Sequence, residues 1–275
     1  MDVIEHLRAI AGTPAVANGD RAHACAVDGL HPRCIVSPAT VDELCRCVAA
    51  IDAADGALIA FGSGSRLGVG RRPRRYDVAL STRRLQRVLA HEAADMTVSV
   101  EAGVTVAELN AVLGEAGQHL PLDPPHPELT TIGGLIATDA SGPLRLSHGK
   151  VRDLLIGIRV VLADGTLVKG GGRVVKNVAG YDLMKLFTGS YGTLGVIVEA
   201  TFKVRPLPEH EAVIVVPAAT TAEAITTALA LLSPGLAPLS VDVLNETGAR
   251  RCGCHKARCA TCSSASKWYS PTGRW

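Results

Sequence analysis

The chain comprises 275 residues, 47% hydrophobic and 20% charged, with a formal net charge of +2. That length allows one large domain or one and a half smaller ones, and the composition is that of a soluble, well-buried globular protein. The near-neutral balance argues for neither nucleic acid nor a membrane surface as partner.

No apolar run reaches the roughly 18 residues of a spanning helix. The opening Met1-Asp2-Val3-Ile4-Glu5-His6 lacks the basic, apolar, small-residue order of a signal peptide. The cytoplasm is the expected location, and the eight cysteines read as thiols or ligands before disulfides.

Taken in chain order, the first helix signal is Thr40 followed by Glu43. The hydroxyl can cap a free amide at the helix start while the carboxylate reaches back to the cap residue. Val41, Leu44, Val48 and Ile51 recur at helical spacing, and Gly56 ends the run. A β-like stretch at 57–61 leads into a glycine-rich loop. Arg71, Arg72, Arg74 and Arg75 then cluster beside Pro73, which reads as a solvated loop, with an anion or partner site as the alternative. Strands are expected at 78–81 and 97–102. Thr105 with Glu108 starts a second helix carrying Leu109, Val112 and Leu113 and ending at 114–117. Stretches 156–162 and 166–169 flank Asp164-Gly165, a strong hairpin signal. A further strand at 196–204 is closed by Pro206. Thr220 with Glu223 starts a third helix with Ile225, Leu229 and Leu232, which stops at Ser233-Pro234-Gly235. Segments of α/β character followed by a hairpin-rich part predict an α+β fold with two lobes, about 30–95 and 96–206.

Three segments carry the chemistry. The first is Ile59-Ala60-Phe61-Gly62-Ser63-Gly64-Ser65-Arg66-Leu67-Gly68, a strand running into a loop whose glycines let consecutive amides point inward and cradle a phosphate. Alone it could equally be a tight turn. It is not a dinucleotide-binding Rossmann turn, because the glycines fall as G-x-G-x-x-x-G and Pro73 with four arginines follows where the helix should be. The second joins Pro121-Leu122-Asp123-Pro124-Pro125 to Thr130-Thr131-Ile132-Gly133-Gly134-Leu135-Ile136-Ala137-Thr138-Asp139-Ala140-Ser141-Gly142. Prolines hold the entering chain extended, and a glycine pair with small residues lets backbone lie against something flat or bulky; a densely packed helix is the alternative. The third runs from Gly170-Gly171-Gly172 through Val175-Lys176-Asn177-Val178-Ala179-Gly180-Tyr181-Asp182-Leu183 to Gly189, Gly192 and Gly195, just before a strand.

In this order the three segments resemble the FAD-binding domain of the vanillyl-alcohol-oxidase and p-cresol-methylhydroxylase family, over roughly residues 30–206. Gly142-Pro143-Leu144-Arg145, His148-Gly149-Lys150-Val151-Arg152-Asp153 and the 175–183 run are similar to the FAD-binding subunits of bacterial glycolate oxidases. The resemblance implies that FAD pyrophosphate meets the backbone of Gly62, Ser63, Gly64, Ser65, Arg66, Leu67 and Gly68. It implies that Pro124, Thr131, Ile132, Gly133, Gly134, Ala137, Ser141 and Gly142 run along the diphosphate and isoalloxazine, with Arg145 and Gly149 in the adjoining motif. Gly192, Leu194, Gly195, Val196 and Ile197 would complete the site.

It further implies oxidation of a small 2-hydroxy acid such as glycolate, in a hetero-oligomer with a second flavin subunit and an iron–sulfur subunit. Any contact with the inner membrane would be made through those partners. Covalent flavin attachment in this family needs a His in the first loop or a Cys in a later motif, and neither is present, so noncovalent FAD is expected. His119, His126 and His148 read as surface or packing residues before catalytic ones. Lys176, Asn177, Tyr181 and Asp182 read equally as a capped helix start and as neighbours of the flavin. No catalytic base and no metal ligand is assigned.

The end of the chain differs in kind. Beyond residue 246 lie Arg250, Arg251, Lys256, Arg258, Lys267 and Arg274, four cysteines (Cys252, Cys254, Cys259, Cys262), both tryptophans and no acid. Removing those six from the 28 basic residues leaves 22 against 26 acidic ones. The C-x4-C-x2-C spacing suits an iron–sulfur or zinc site, yet too little chain follows to build one. A truncated or frameshifted terminus, disordered or poorly packed, is the favoured expectation. Residues 207–246, a strand–helix–strand pattern, read as the start of a cap domain. Two functions remain open: the FAD-binding subunit of a 2-hydroxy-acid oxidase or dehydrogenase, or a flavin-binding structural or electron-relay subunit without its own substrate site, or an inactive truncated product.

Overall fold

The computed structural model describes residues 2–172, 182–211, 214–232 and 238–245. Its first lobe is a small sheet with helices on it. Helix α1 (Val3–Ala11), strand β1 (Val16–Ala17), α2 (Asp20–His23), β2 (Cys34–Val36), α3 (Val41–Ala53), β3 (Leu58–Phe61) and β4 (Val78–Ser81) follow in order. The sheet runs β1-β2-β4-β3, with β2, β4 and β3 parallel and β1 antiparallel to β2. Edge strand β3 therefore delivers its C-terminal end, and the glycine loop after it, to one rim of the sheet.

The signals for α3 act largely as expected. Thr40 Oγ1 accepts from Glu43 N at 3.2 Å. The Glu43 carboxylate, however, takes the Ala39 amide at 2.8 Å, one residue beyond the cap. Thr105 and Glu108 close a full reciprocal box. The helix stops at Ala53; Asp55 adopts the left-handed turn (φ 51°) and Gly56 N bonds Ile51 O at 2.8 Å. Gly56 is needed for closeness, since a Cβ there would stand 2.9 Å from Ile51 Cγ2. Leu44, Cys47, Val48 and Ile51 meet Val36, Val78 and Leu80 in the first core.

The second lobe contains β5 (Val88–Glu92), β6 (Thr97–Glu101), α4 (Val106–Gly114), β7 (Gln118–His119), α5 (Ile132–Thr138), α6 (Arg145–His148), α7 (Val151–Leu154), β8 (Leu155–Val161), β9 (Leu167–Gly171), α8 (Leu183–Phe187) and β10 (Val196–Lys203). The antiparallel order is β5-β6-β10-β8-β9, and a two-residue strand β11 (Arg205–Pro206) pairs with β7. The β8–β9 hairpin turns at Asp164-Gly165, with Thr166 N donating to Asp164 Oδ1 at 2.8 Å and Gly165 at φ 84°. In α4, Leu109 and Leu113 are fully buried, whereas Val112, expected on the same face, is 39% exposed. The third position of an apolar triplet here falls past the edge of the contact stripe.

One extra residue sets the faces of β10. Ile197 pairs with Val160 and Glu199 with Arg159, so Val198 is a bulge. The bulge reverses the alternation. Ile197, Ala200 and Phe202 enter the second core while Val196 and Val198 join the first. Glu199 emerges on the polar face, bound by Arg159 Nη1 at 2.6 Å. Glu199 also stands opposite Glu101, whose fully buried carboxylate is held by Arg87 through its backbone amide, Nε and Nη2 at 2.7–3.0 Å.

Residues 143–147 group with the described residues 207–211, 214–232 and 238–245 as a second unit. It carries helix α9 (Thr221–Leu231), capped by Thr220 on Glu223 N, and Ser147 Oγ donates to Leu239 O at 2.9 Å. The strands expected on either side of this helix do not form among the described residues 214–220 and 238–245. A strand exists only by pairing, and these segments pair with no described one. Ile225 and Leu229, expected to be inward, are 47% and 63% exposed. The Cys-rich tail and the residues Lys176, Asn177 and Tyr181 lie outside the described residues. No described helix is long and apolar enough to cross a membrane.

Truncating Phe202, fully buried in the second core, to Ala should cost about 3–5 kcal/mol, read as a lowered urea midpoint with unchanged slope. Burial pushes the Cys34 thiol up to about 11 and the Cys47 thiol up to about 12, from an ordinary 9.0. The unfolded chain releases these protons first as pH rises. Their contribution to stability is therefore complete below about pH 9 and lost on the way to pH 11–12. Urea midpoints measured across that window should fall, and Cys47→Ala should flatten the decline.

Candidate functional site

The loop after β3 leaves its amides uncommitted. Phe61 O accepts from Thr82 N at 3.0 Å, tying the strand end to β4. Beyond it, the amides of Gly62, Ser63, Gly64, Ser65 and Arg66 donate to no described group, and the loop's own bonds begin at Leu67 N to Gly64 O. Five successive free amides suit an anion, which can replace the water they would otherwise bind. Leu67 packs beside Phe61 and Tyr76, so its side chain holds the loop down.

The second segment is a helix, and its glycines are explained by contact. Thr131 caps α5, its Oγ1 accepting from Gly134 N at 3.3 Å. A Cβ on Gly62 would overlap that same Oγ1. Gly133 N bonds Ala102 O at 2.8 Å, and a Cβ on Gly133 would lie 2.9 Å from Ala102 Cβ. Ile132, Leu135 and Ile136 turn into the core. At the other end of α5, Gly189 N bonds Ile136 O at 3.0 Å and Tyr191 N bonds Ala137 O at 2.8 Å. These bonds carry the third glycine segment to the helix.

One trough of about 60 Å³ results, lined by Ala60, Phe61, Gly62, Thr82, Gly133, Gly134, Ala137, Tyr191, Gly192, Gly195, Val196 and Ile197. Eight of the expected site residues meet here: Gly62, Gly133, Gly134, Ala137, Gly192, Gly195, Val196 and Ile197. Ser63, Gly64, Ser65, Arg66 and Gly68 continue the loop from Gly62 without lining the trough. Thr131 and Ile132 support it from behind. Leu194 is 46% exposed at its margin.

Pro124, Ser141, Gly142, Gly149 and Arg145 stand apart from the lining. Pro124 is buried in the loop before α5. Gly142 is pressed onto Asp123, where a Cβ would overlap the Asp123 carbonyl. A Cβ on Gly149 would meet Asp153 Oδ2 at 3.0 Å, while Arg145 belongs to the second unit. Ala60, Phe61, Thr82 and Tyr191 are lining residues that the sequence reading passed over. Strand endings beside a glycine loop could have pointed to the first two. Thr82 reaches the trough only because β4 lies beside β3.

Among the described residues, the lining contains no Asp, Glu, Lys, Arg or His, and its side-chain hydroxyls are those of Thr82 and Tyr191. Gly192 has φ 75°, and a Cβ there would meet nothing within 4 Å. Close by, Asp139 ends α5 at φ 48°, with Lys150 Nζ 3.9 Å from its Oδ2. Asp139 Oδ1 and Ser190 Oγ are buried without a hydrogen-bond partner. The histidines are peripheral: His126 approaches Glu128 at 3.4 Å on the surface, and the His119 and His148 rings meet edge to face at 6.3 Å. Asp182 caps α8 on Lys185 N, the helix-start reading of that residue.

A family model described as an FAD binding domain matches residues 32–171. The "Glycolate oxidase subunit GlcD" of Bacillus subtilis (strain 168) is 34% identical over 178 residues, covering 65% of this chain and 38% of that protein. The mitochondrial "D-lactate dehydrogenase [cytochrome]" of Arabidopsis thaliana is 34% identical over 219 residues, covering 80% and 38%. Among solved structures, an alkyldihydroxyacetonephosphate synthase superposes with TM-score 0.67 at 25% identity over 77% of this chain and 41% of that one. The chain thus spans less than half the length of these relatives.

Two glycines of the trough should respond oppositely to a side chain. Gly62→Ala drives a methyl into Thr131 and should cost roughly 1–3 kcal/mol. Gly192→Asn meets open space in a conformation that asparagine tolerates, and its thermal midpoint should stay near that of the parent. Equal losses in calorimetry would contradict this assignment of contacts.

Proposed function

The chain belongs to the FAD-binding domain family of the vanillyl-alcohol-oxidase type, and from that premise we propose that it is the flavin-holding part of an oxidoreductase acting on small 2-hydroxy acids such as glycolate or D-lactate. The observation that carries the reading is the trough, where close-packed glycines and the open face of Gly192 meet, together with the loop of free amides that leaves it at Gly62. The amides of residues 62–66 suit the diphosphate, and α5 with the 189–197 segment offers a flat backbone surface to the ring system. FAD, when bound, supplies the redox step by accepting a hydride equivalent from the hydroxyl-bearing carbon. The protein's part is to hold that ring, shield it and orient it.

Noncovalent binding is part of the proposal: no described His or Cys lines the trough. So is assembly with further subunits, since one relative is itself named as a subunit of glycolate oxidase; a second flavin subunit and an iron–sulfur subunit are the expected companions. A second reading, a flavin-binding or electron-relay component without its own substrate site, draws on a specific feature. A 2-hydroxy acid needs a cation for its carboxylate and a base for its hydroxyl proton, and among the described residues the trough lining has no ionisable group other than Tyr191.

Reconstitution tests both. The purified full chain should take up FAD, release it on acid precipitation, and bind it at least tenfold more weakly after Gly192→Asn. A chain that cannot be loaded with FAD would sink the proposal. Anaerobic bleaching of the loaded chain by glycolate or D-lactate, without partners, would rule out the relay reading.

A further inference from the structure

Residues 62–77 join β3 to β4 and contain five arginines against a single acid, Asp77. Arg75 holds the loop in place. Its Nη1 meets Asp55 Oδ2 at 3.2 Å, its Nε meets Asp77 Oδ2 at 2.9 Å, and it also donates to Asp55 O. Asp77 in turn takes the Ala57 amide at 2.8 Å, so the far end of the loop is clamped. Arg66, Arg71, Arg72 and Arg74 are exposed and form no ion pair among the described residues. Pro73 keeps Arg72 extended and cannot itself join a helix. A Cβ added at Gly68 or Gly70 would meet nothing within 4 Å, so the neighbouring stretch of the loop is open.

The four unpaired charges share a loop with the five free amides. Strands β3 and β4 are parallel neighbours of four residues each, about 13 Å long at roughly 3.3 Å per residue. The connection has only to return by that length. Its arginines therefore lie on the order of one to two Debye lengths from the amides, that length being about 8 Å at physiological salt, so their pull there is partial and strengthens as salt is lowered.

We propose that Arg71, Arg72 and Arg74 form an electrostatic capture surface, which draws the diphosphate of the incoming dinucleotide toward the amides of residues 62–66. The proposal rests on the flavin-binding reading and adds a division of labour. The amides hold the bound diphosphate, whereas the arginines act before contact and accelerate association, an effect that can reach roughly 10- to 1,000-fold and fades with salt. Exposed charges add little once the ligand is seated, so dissociation is left to the trough.

The test compares the flavin-free full chain with Arg71→Gln/Arg72→Gln/Arg74→Gln, with Arg75 kept because it clamps the loop. Binding is followed by the change in flavin fluorescence on rapid mixing with FAD, and separately with riboflavin, which lacks phosphate. At low ionic strength the variant should associate with FAD about tenfold more slowly and dissociate at the parental rate. The two proteins should converge near 1 M salt, where screening falls to about 3 Å, and should take up riboflavin alike. Equal FAD association rates at low salt would overturn the capture role and leave these arginines to another anionic partner. A deficit that persists at high salt, or extends to riboflavin, would overturn it in favour of a structural effect. Failure of the parent chain to take up FAD at all would overturn the flavin reading along with it.

Discussion

The contact between Gly62 and Thr131 is the constraint on which the rest of the site depends. Thr131 caps α5 with the same hydroxyl oxygen that a side chain at position 62 would strike. Helix α5 comes from the second lobe and β3 from the first, so a missing Cβ is what lets the two lobes close on each other there. Within the second lobe, Gly133 rests on Ala102 and the 189–191 backbone bonds the far end of α5. A seven-residue helix is too short to be stable alone. Here both of its ends are held by other parts of the chain.

The second lobe meets a different demand, which is to keep charge out of two adjoining cores. Its sheet faces the second core on one side, and part of the opposite side feeds the first. Strand β10 alternates between the two cores up to Val198, and the extra residue there returns Ala200 and Phe202 to the second core. With regular alternation Glu199 would share the second-core face of Ile197, where an unpaired carboxylate is costly. The bulge instead sets it beside Arg159. Glu101, fully buried, is tolerable because Arg87 satisfies both of its oxygens.

A site built from backbone explains why its residues carry little individual chemistry. Glycine and alanine line most of the trough, and they act by absence, permitting close approach and free amides. In the role proposed for it, the trough presents a flat backbone surface to the cofactor, while its described lining offers no charged group to a small acid.

The amino-acid sequence by itself determined what local interactions decide. The three threonine–glutamate helix starts, the Asp164-Gly165 turn and the order of the glycine segments all act over a few residues, and each was legible without a fold. Other features were settled only by tertiary structure. Edge or interior is a matter of neighbours, so Val112, Ile225 and Leu229 lie more open than their periodicity implied, and the extended stretches around α9 find no partner among the described residues that would make them strands. Thr82 joins the trough because β4 happens to lie beside β3, which no motif records. The glycine loop could have been a plain tight turn as far as its residues show. What distinguishes it is that its amides remain free among the described residues, and that is a property of the folded chain.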